Sequence, residues 1–158
     1  MPYGFGVNSK VNLQGVHPQL VAIANMAIAL SEQDFAVHDG VRTIVEQQKL
    51  VAAGASKTLD SKHLVQADGF GHAIDLVPYI NGNLRWEWGP VYRVAAAVHH
   101  AAIHIGVPLK WGGVWDTPFE QISGTPAGLE DAVHDYVKRC TALGKKAFID
   151  GPHYQLAL

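Results

Sequence analysis

Nine histidines in a chain of 158 residues raise the question of which of them converge with carboxylates on one point. Three separated segments carry the strongest candidates: Ser61-Lys62-His63, Gly71-His72-Ala73-Ile74-Asp75 and Asp150-Gly151-Pro152-His153. Two neutral imidazoles, His63 and His153, with the carboxylate of Asp75 make a donor set that suits zinc. A fourth position left to water is the arrangement of a catalytic rather than a structural site. An ion held this way lowers the pKa of its water to roughly 7. Asp150, three residues before His153, is near enough within a turn to accept that water's proton without itself being a ligand.

Plainer readings compete at each position. A lone His63 reads as a solvated loop histidine, and only the joint pattern makes it a ligand. Asp75 inside Ala73-Ile74-Asp75-Leu76-Val77 is costly to bury unless paired or metal-bound. Strand alternation turns His72 away from the face of Asp75, toward a structural or substrate-side role. His100 and His104, four apart in a helical pattern, form a rival pair. Ala101 stands where a helix-type zinc peptidase needs glutamate, so this pair reads as an ordinary helix face. Cys140, six positions from His134 in an amphipathic pattern, reads as packing. Trp86, Trp88, Trp111 and Trp115 are assigned no role.

The elements that must position these groups follow from periodicity and turn chemistry. His17-Pro18 opens a helix whose Leu20, Ile23, Ala24, Ala27 and Ile28 face a core. Phe35–His38 reads as a strand. Thr43-Ile44-Val45-Glu46 reads as a capping box starting a helix that ends near Gly54, with Arg42 at its entrance. Residues 55–71 form a long loop. Ala73–Val77 reads as a strand running toward a hairpin turn at Asn81-Gly82. Helices are expected from Pro90 to a stop at Gly106 and from Thr125-Pro126 to Gly144, and strands over 107–111, 147–149 and 154–156. Helices mixed with mostly antiparallel strands make an α+β domain.

Composition agrees with one domain over residues 1–158: 48% of the residues are hydrophobic and 16% charged. A net charge of -2 at pH 7, without a basic run, excludes nucleic acid as partner. The single cysteine cannot form an internal disulfide. No apolar stretch is long enough to span a bilayer, and the N-terminus lacks the layout of a secretory signal, so the expectation is a soluble, unprocessed monomer.

Ser61-x-His63, Gly71-x-Ala73-x-Asp75 and Asp150-x-Pro152-His153 together resemble the signature of the zinc D-alanyl-D-alanine carboxypeptidase and L-alanyl-D-glutamate endopeptidase family, which includes phage endolysins. The resemblance extends to Gly40-Val41-Arg42-Thr43 with Gln47 and to Leu109-Lys110-Trp111-Gly112-Gly113. It implies a single domain of Hedgehog/DD-peptidase-like fold, with a mostly antiparallel sheet flanked by helices. It further implies zinc on His63, Asp75 and His153, with Asp150 as general base and Arg42 facing the substrate, where a fixed cation stabilises an oxyanion or grips a carboxylate. The implied substrate is the stem peptide of peptidoglycan, cut between L-alanine and D-glutamate. A D-alanyl-D-alanine carboxypeptidase and a non-catalytic zinc-bound peptide-binding module are the alternatives. The implied setting is the host cytoplasm before lysis and the cell wall after release, with no separate wall-binding domain. Two departures stand out. Residues 65–69 lengthen the His63–Asp75 interval, an insertion expected to reshape the cleft, and Val114 replaces an acidic residue, leaving Asp116 outside the catalytic set.

Overall fold

The computed structural model describes residues 2–56 and 58–157; Lys57 of the long loop falls outside them. Five strands form one antiparallel sheet in the order β1-β2-β5-β4, with β3 continuing the β2 hairpin. The strands are β1 (Phe35–Asp39), β2 (Ala73–Ile80), β3 (Asn83–Leu84), β4 (Leu109–Trp111) and β5 (His153–Leu156). Asn81 and Gly82 both take positive φ, 52° and 79°, as the tight turn between β2 and β3 requires.

Helices α2 (Pro18–Leu30), α4 (Trp88–Ile105) and α5 (Pro126–Ala142) cover one face of the sheet. Leu20, Ile23 and Ile28 of α2, Val94 and Val98 of α4 and Leu129 of α5 join Ile74 and Leu76 of β2 and Tyr154 and Leu156 of β5 in one buried cluster. Because side chains alternate along a strand, burying positions 74, 76, 154 and 156 turns Asp75, His153 and Gln155 to the opposite face. The core thereby selects which residues face the site.

The expected elements are present. Helix α2 starts at Pro18, capped by the His17 ring, and α3 (Ile44–Ala52) carries the complete Thr43–Glu46 capping box. Helix α4 stops at Gly106 in the left-handed conformation. One expectation is corrected: residues 147–149 enter no strand. Phe148 and Asp150 instead line the wall of a cleft. Helix α1 (Val7–Asn12), which lacks apolar periodicity, forms against β1, where Ser9 and Asn12 take up the outward N–H and C=O of Val37 at 3.0 and 2.8 Å.

Candidate metal centre and catalytic cleft

Asp75 and His153 are direct cross-strand partners of β2 and β5. Their side chains are neighbours by register. His63 arrives from the long loop, which is pinned at this point: the Arg42 N–H donates to the His63 carbonyl at 2.9 Å, and the His72 N–H to the Lys62 carbonyl at 2.8 Å. The three side chains converge on the face away from the helices, and all three are buried.

His63 Nε2 and His153 Nδ1 each lie 3.2 Å from Asp75 Oδ1 and 3.3 Å from one another. Zinc bonds of about 2.0–2.1 Å in tetrahedral geometry require ligand atoms about 3.3–3.4 Å apart, so this nearly equilateral triangle has the dimensions of one tetrahedral face. The other ring nitrogens are committed. His63 Nδ1 donates to the Gly40 carbonyl at 2.7 Å, and His153 Nε2 donates to Gln155 Oε1 at 2.9 Å. Each bond fixes the tautomer of the neutral ring, so that the neutral form, the one a metal ion takes, has its lone pair aimed at the triangle's centre. The donors present fit zinc.

Electrostatics point the same way. Burial pushes the Asp75 carboxyl up, yet the facing nitrogens of His153 and His63, which donate to it when the rings carry a second proton, together outweigh burial and hold the group well below the usual carboxylate range. For His153, burial favours the neutral ring, but the Asp75 carboxylate and Gln155 shift it toward the charged form. The triangle is a place prepared for positive charge. Arg42 adds to it with Nη2 3.4 Å from Asp75 Oδ2, which ties down the carboxylate oxygen that faces away from the triangle.

Asp39 accepts from Arg42 Nε at 2.6 Å and Gln47 Oε1 from Nη1 at 2.8 Å. One N–H of each Nη nitrogen remains uncommitted among the described residues. Gln47, fully buried, also donates to Ser56 Oγ at 2.8 Å and to the Thr58 carbonyl at 2.6 Å. A single amide thus couples the arginine to the loop that walls the cleft.

The cleft has a volume of about 290 Å³, and its lining includes Arg42, Lys62, Trp115, Phe148, Asp150 and Gln155 beside the two histidines. The Asp150 carboxylate makes no hydrogen bond among the described residues, and its pKa is raised, first by burial and then by the charge of Asp75. A partly desolvated carboxylate beside a cation site has the character of a proton acceptor. Its turn is bound to β4 by the Asp150 N–H to the Gly112 carbonyl at 2.8 Å and the Gly112 N–H to the His153 carbonyl at 2.9 Å.

The structure brings together His63, Asp75, His153, Asp150 and Arg42, and leaves the other candidates apart. His72 Nε2 pairs with Asp68 Oδ2 at 2.7 Å and its ring meets His17 edge-on, away from the triangle. His100 and His104 lie exposed along α4. Asp116 is drawn to Arg139 on α5 by two hydrogen bonds of 2.8 and 2.9 Å. The insertion at residues 65–69 does not line the cleft, contrary to expectation, because Asp68 latches it to His72 and His17. Gln155 and Trp115, whose ring lies 5.2 Å from that of His153, were not expected in the site. The two-residue spacing of His153 and Gln155 on one strand was the available signal for Gln155.

A family model for phage L-alanyl-D-glutamate peptidases matches residues 1–137. The chain is 32% identical over 160 residues to the L-alanyl-D-glutamate peptidase of Escherichia phage T5, spanning 99% of each. It also superposes on the crystal structure of the Serratia marcescens L-Ala D-Glu endopeptidase ChiX with a TM-score of 0.69 and 34% identity, covering 96% of this chain and 87% of that one.

Proposed function

The chain belongs to the phage L-alanyl-D-glutamate peptidase family, and we propose that it is a zinc-dependent endopeptidase cutting between L-alanine and D-glutamate in peptidoglycan stem peptides. The observation that carries the metal reading is the triangle of His63 Nε2, Asp75 Oδ1 and His153 Nδ1, with edges of 3.2, 3.2 and 3.3 Å and both tautomers fixed. Zinc held there supplies Lewis-acid polarisation of the scissile carbonyl and acidifies a water.

The chain's own groups do the rest. Asp150, short of solvent and of partners, takes the proton of the attacking water and returns it to the departing amine of D-glutamate. Arg42, held by Asp39 and Gln47, keeps its remaining N–H groups for the oxygen that gains charge at the carbonyl; because it is fixed in advance, little reorganisation is needed. Trp115 and Phe148 narrow the cleft and limit water around the reacting atoms.

No helix among the described residues is long and apolar enough to cross a membrane. We assign the protein a monomeric state, residence in the host cytoplasm before lysis and action on the wall after release. The test is mass spectrometry of purified peptidoglycan digested by the zinc-loaded protein, beside chelator-treated and Asp150→Ala samples. Peptides beginning at D-glutamate, absent from both controls, are expected. Release of terminal D-alanine alone would establish a carboxypeptidase instead.

A further inference from the structure

A second cavity, of about 540 Å³, runs along the outer edge of β1, bounded by Asn8 and Asn12 of α1, by Asp34 and His38, and by Tyr79 and Leu84 of the hairpin. Its backbone floor is not open to an added strand, because Ser9 and Asn12 already satisfy Val37. Recognition there must come from side chains. They are amides, a carboxylate, a phenol and an imidazole.

The His38 end of this groove is linked to the Arg42 end of the cleft through Asp39. Val37 pairs with Leu76 but Asp39 pairs with Asp75, so His38 is an extra residue bulged out of the ladder. The next residue, Asp39, anchors Arg42. The Trp86 indole meets the His38 ring edge-on, with centroids 5.2 Å apart and an interplanar angle of 88°, yet remains 56% exposed. Its loop is braced by the Arg85–Glu87 ion pair, with hydrogen bonds of 2.7 and 2.9 Å. A large ring oriented by a neighbour and left uncovered offers a flat apolar face beside hydrogen-bonding groups. That pairing matches a pyranose, with its C–H face and its polar rim.

This inference rests on the endopeptidase reading above, and the substrate's chemistry names the sugar. In peptidoglycan, L-alanine is joined through a lactyl ether to N-acetylmuramic acid, so a sugar sits directly on the amino side of the scissile bond. Trp86 is tied to the metal triangle through His38, whose neighbour Asp39 is the cross-strand partner of Asp75. We propose that the groove along β1 ending at His38, together with the Trp86 ring that packs on His38 beside it, is a subsite for the N-acetylmuramyl sugar, making the enzyme prefer glycan-linked over free stem peptides.

Two measurements decide it. The first is the ratio of kcat/KM on a disaccharide-linked stem peptide to that on the same peptide without sugar, in the wild type and in Trp86→Ala. The wild type should favour the linked substrate by about tenfold, mainly through KM, and the ratio should fall toward unity in the variant. Leu143→Ala, on an exposed side chain elsewhere, should keep the wild-type ratio. An unchanged ratio in Trp86→Ala overturns the subsite. If neither substrate is cut, the endopeptidase reading has failed, and the second measurement still judges the groove. NMR titration of the zinc-loaded protein with N-acetylglucosaminyl-N-acetylmuramic acid should shift the Trp86 indole N–H and the His38 ring signals. Absence of those shifts at millimolar sugar overturns the proposal.

Discussion

Replacing Gly112 by alanine should move the catalytic turn without touching any reacting group. The glycine binds that turn in both directions, donating to His153 and accepting from Asp150. A β-carbon at position 112 overlaps the Asp150 carbonyl oxygen and stands 3.0 Å from its carbonyl carbon and 3.1 Å from His153 Cβ. Unstrained contacts to a carbon lie above about 3 Å for oxygen and near 3.5–4 Å for carbon, so the overlapping carbonyl oxygen forces residues 150–153 to retreat by at least about 1 Å. A shift of that size costs about a hundredfold in rate when it displaces a proton acceptor and a ligand together. Overpacking should remove about 1–3 kcal/mol of stability, lowering Tm by a few degrees per kcal/mol and leaving the protein folded. The assay is kcat/KM on peptidoglycan fragments with zinc stoichiometry and circular dichroism measured in parallel. Gly89→Ala, whose β-carbon meets nothing within 4 Å, is the control. A folded Gly112→Ala with wild-type turnover and zinc content would refute the argument that this contact positions the site.

Other perturbations probe separate parts of the same centre. Gln47→Ala strips partners from Arg42, Ser56 and Thr58 at a buried position, and urea unfolding should show a loss of about 2–4 kcal/mol together with reduced kcat. Asp150 has a folded pKa raised above its unfolded value, so its ionised form opposes folding above the usual carboxylate range. Metal-free Asp150→Asn should therefore be more stable than the wild type at neutral pH, with the gap closing as pH falls through that range, while turnover is lost. Zinc at a thousandfold excess over its Kd should add about 4 kcal/mol to unfolding, read as a Tm increase that chelator reverses and that His153→Ala abolishes.

Much of this fold was legible because local signals and the global pattern agree. The His17-Pro18 start, the Thr43–Glu46 box, the Asn81-Gly82 turn and the Gly106 stop each rest on chemistry contained within a few residues. The metal candidates were legible for a different reason, since their residue types suit one ion. What stayed hidden depends on distant partners. Residues 147–149 have a strand-like composition, but they belong to none of the described strands, and Phe148 lines the cleft instead. Helix α1 shows no amphipathic stripe because its contribution is two polar side chains on β1. The length of the insertion at 65–69 suggests a reshaped cleft, because nothing local in the sequence shows that Asp68 pairs with His72 and His17. Gln155 escaped notice because its function is to orient another residue's ring.

Strand β5, the last strand in sequence among the described residues, is not at the margin of the sheet but lies between β2 and β4. Residues before β5 leave the middle of the sheet vacant, and His153 cannot stand beside Asp75 until that gap closes. Pairings between such distant segments form late and slowly. The proposed metal centre is therefore completed only when that long-range pairing forms. On the proposed function, a chain cut short before β5 lacks His153 and should hydrolyse nothing.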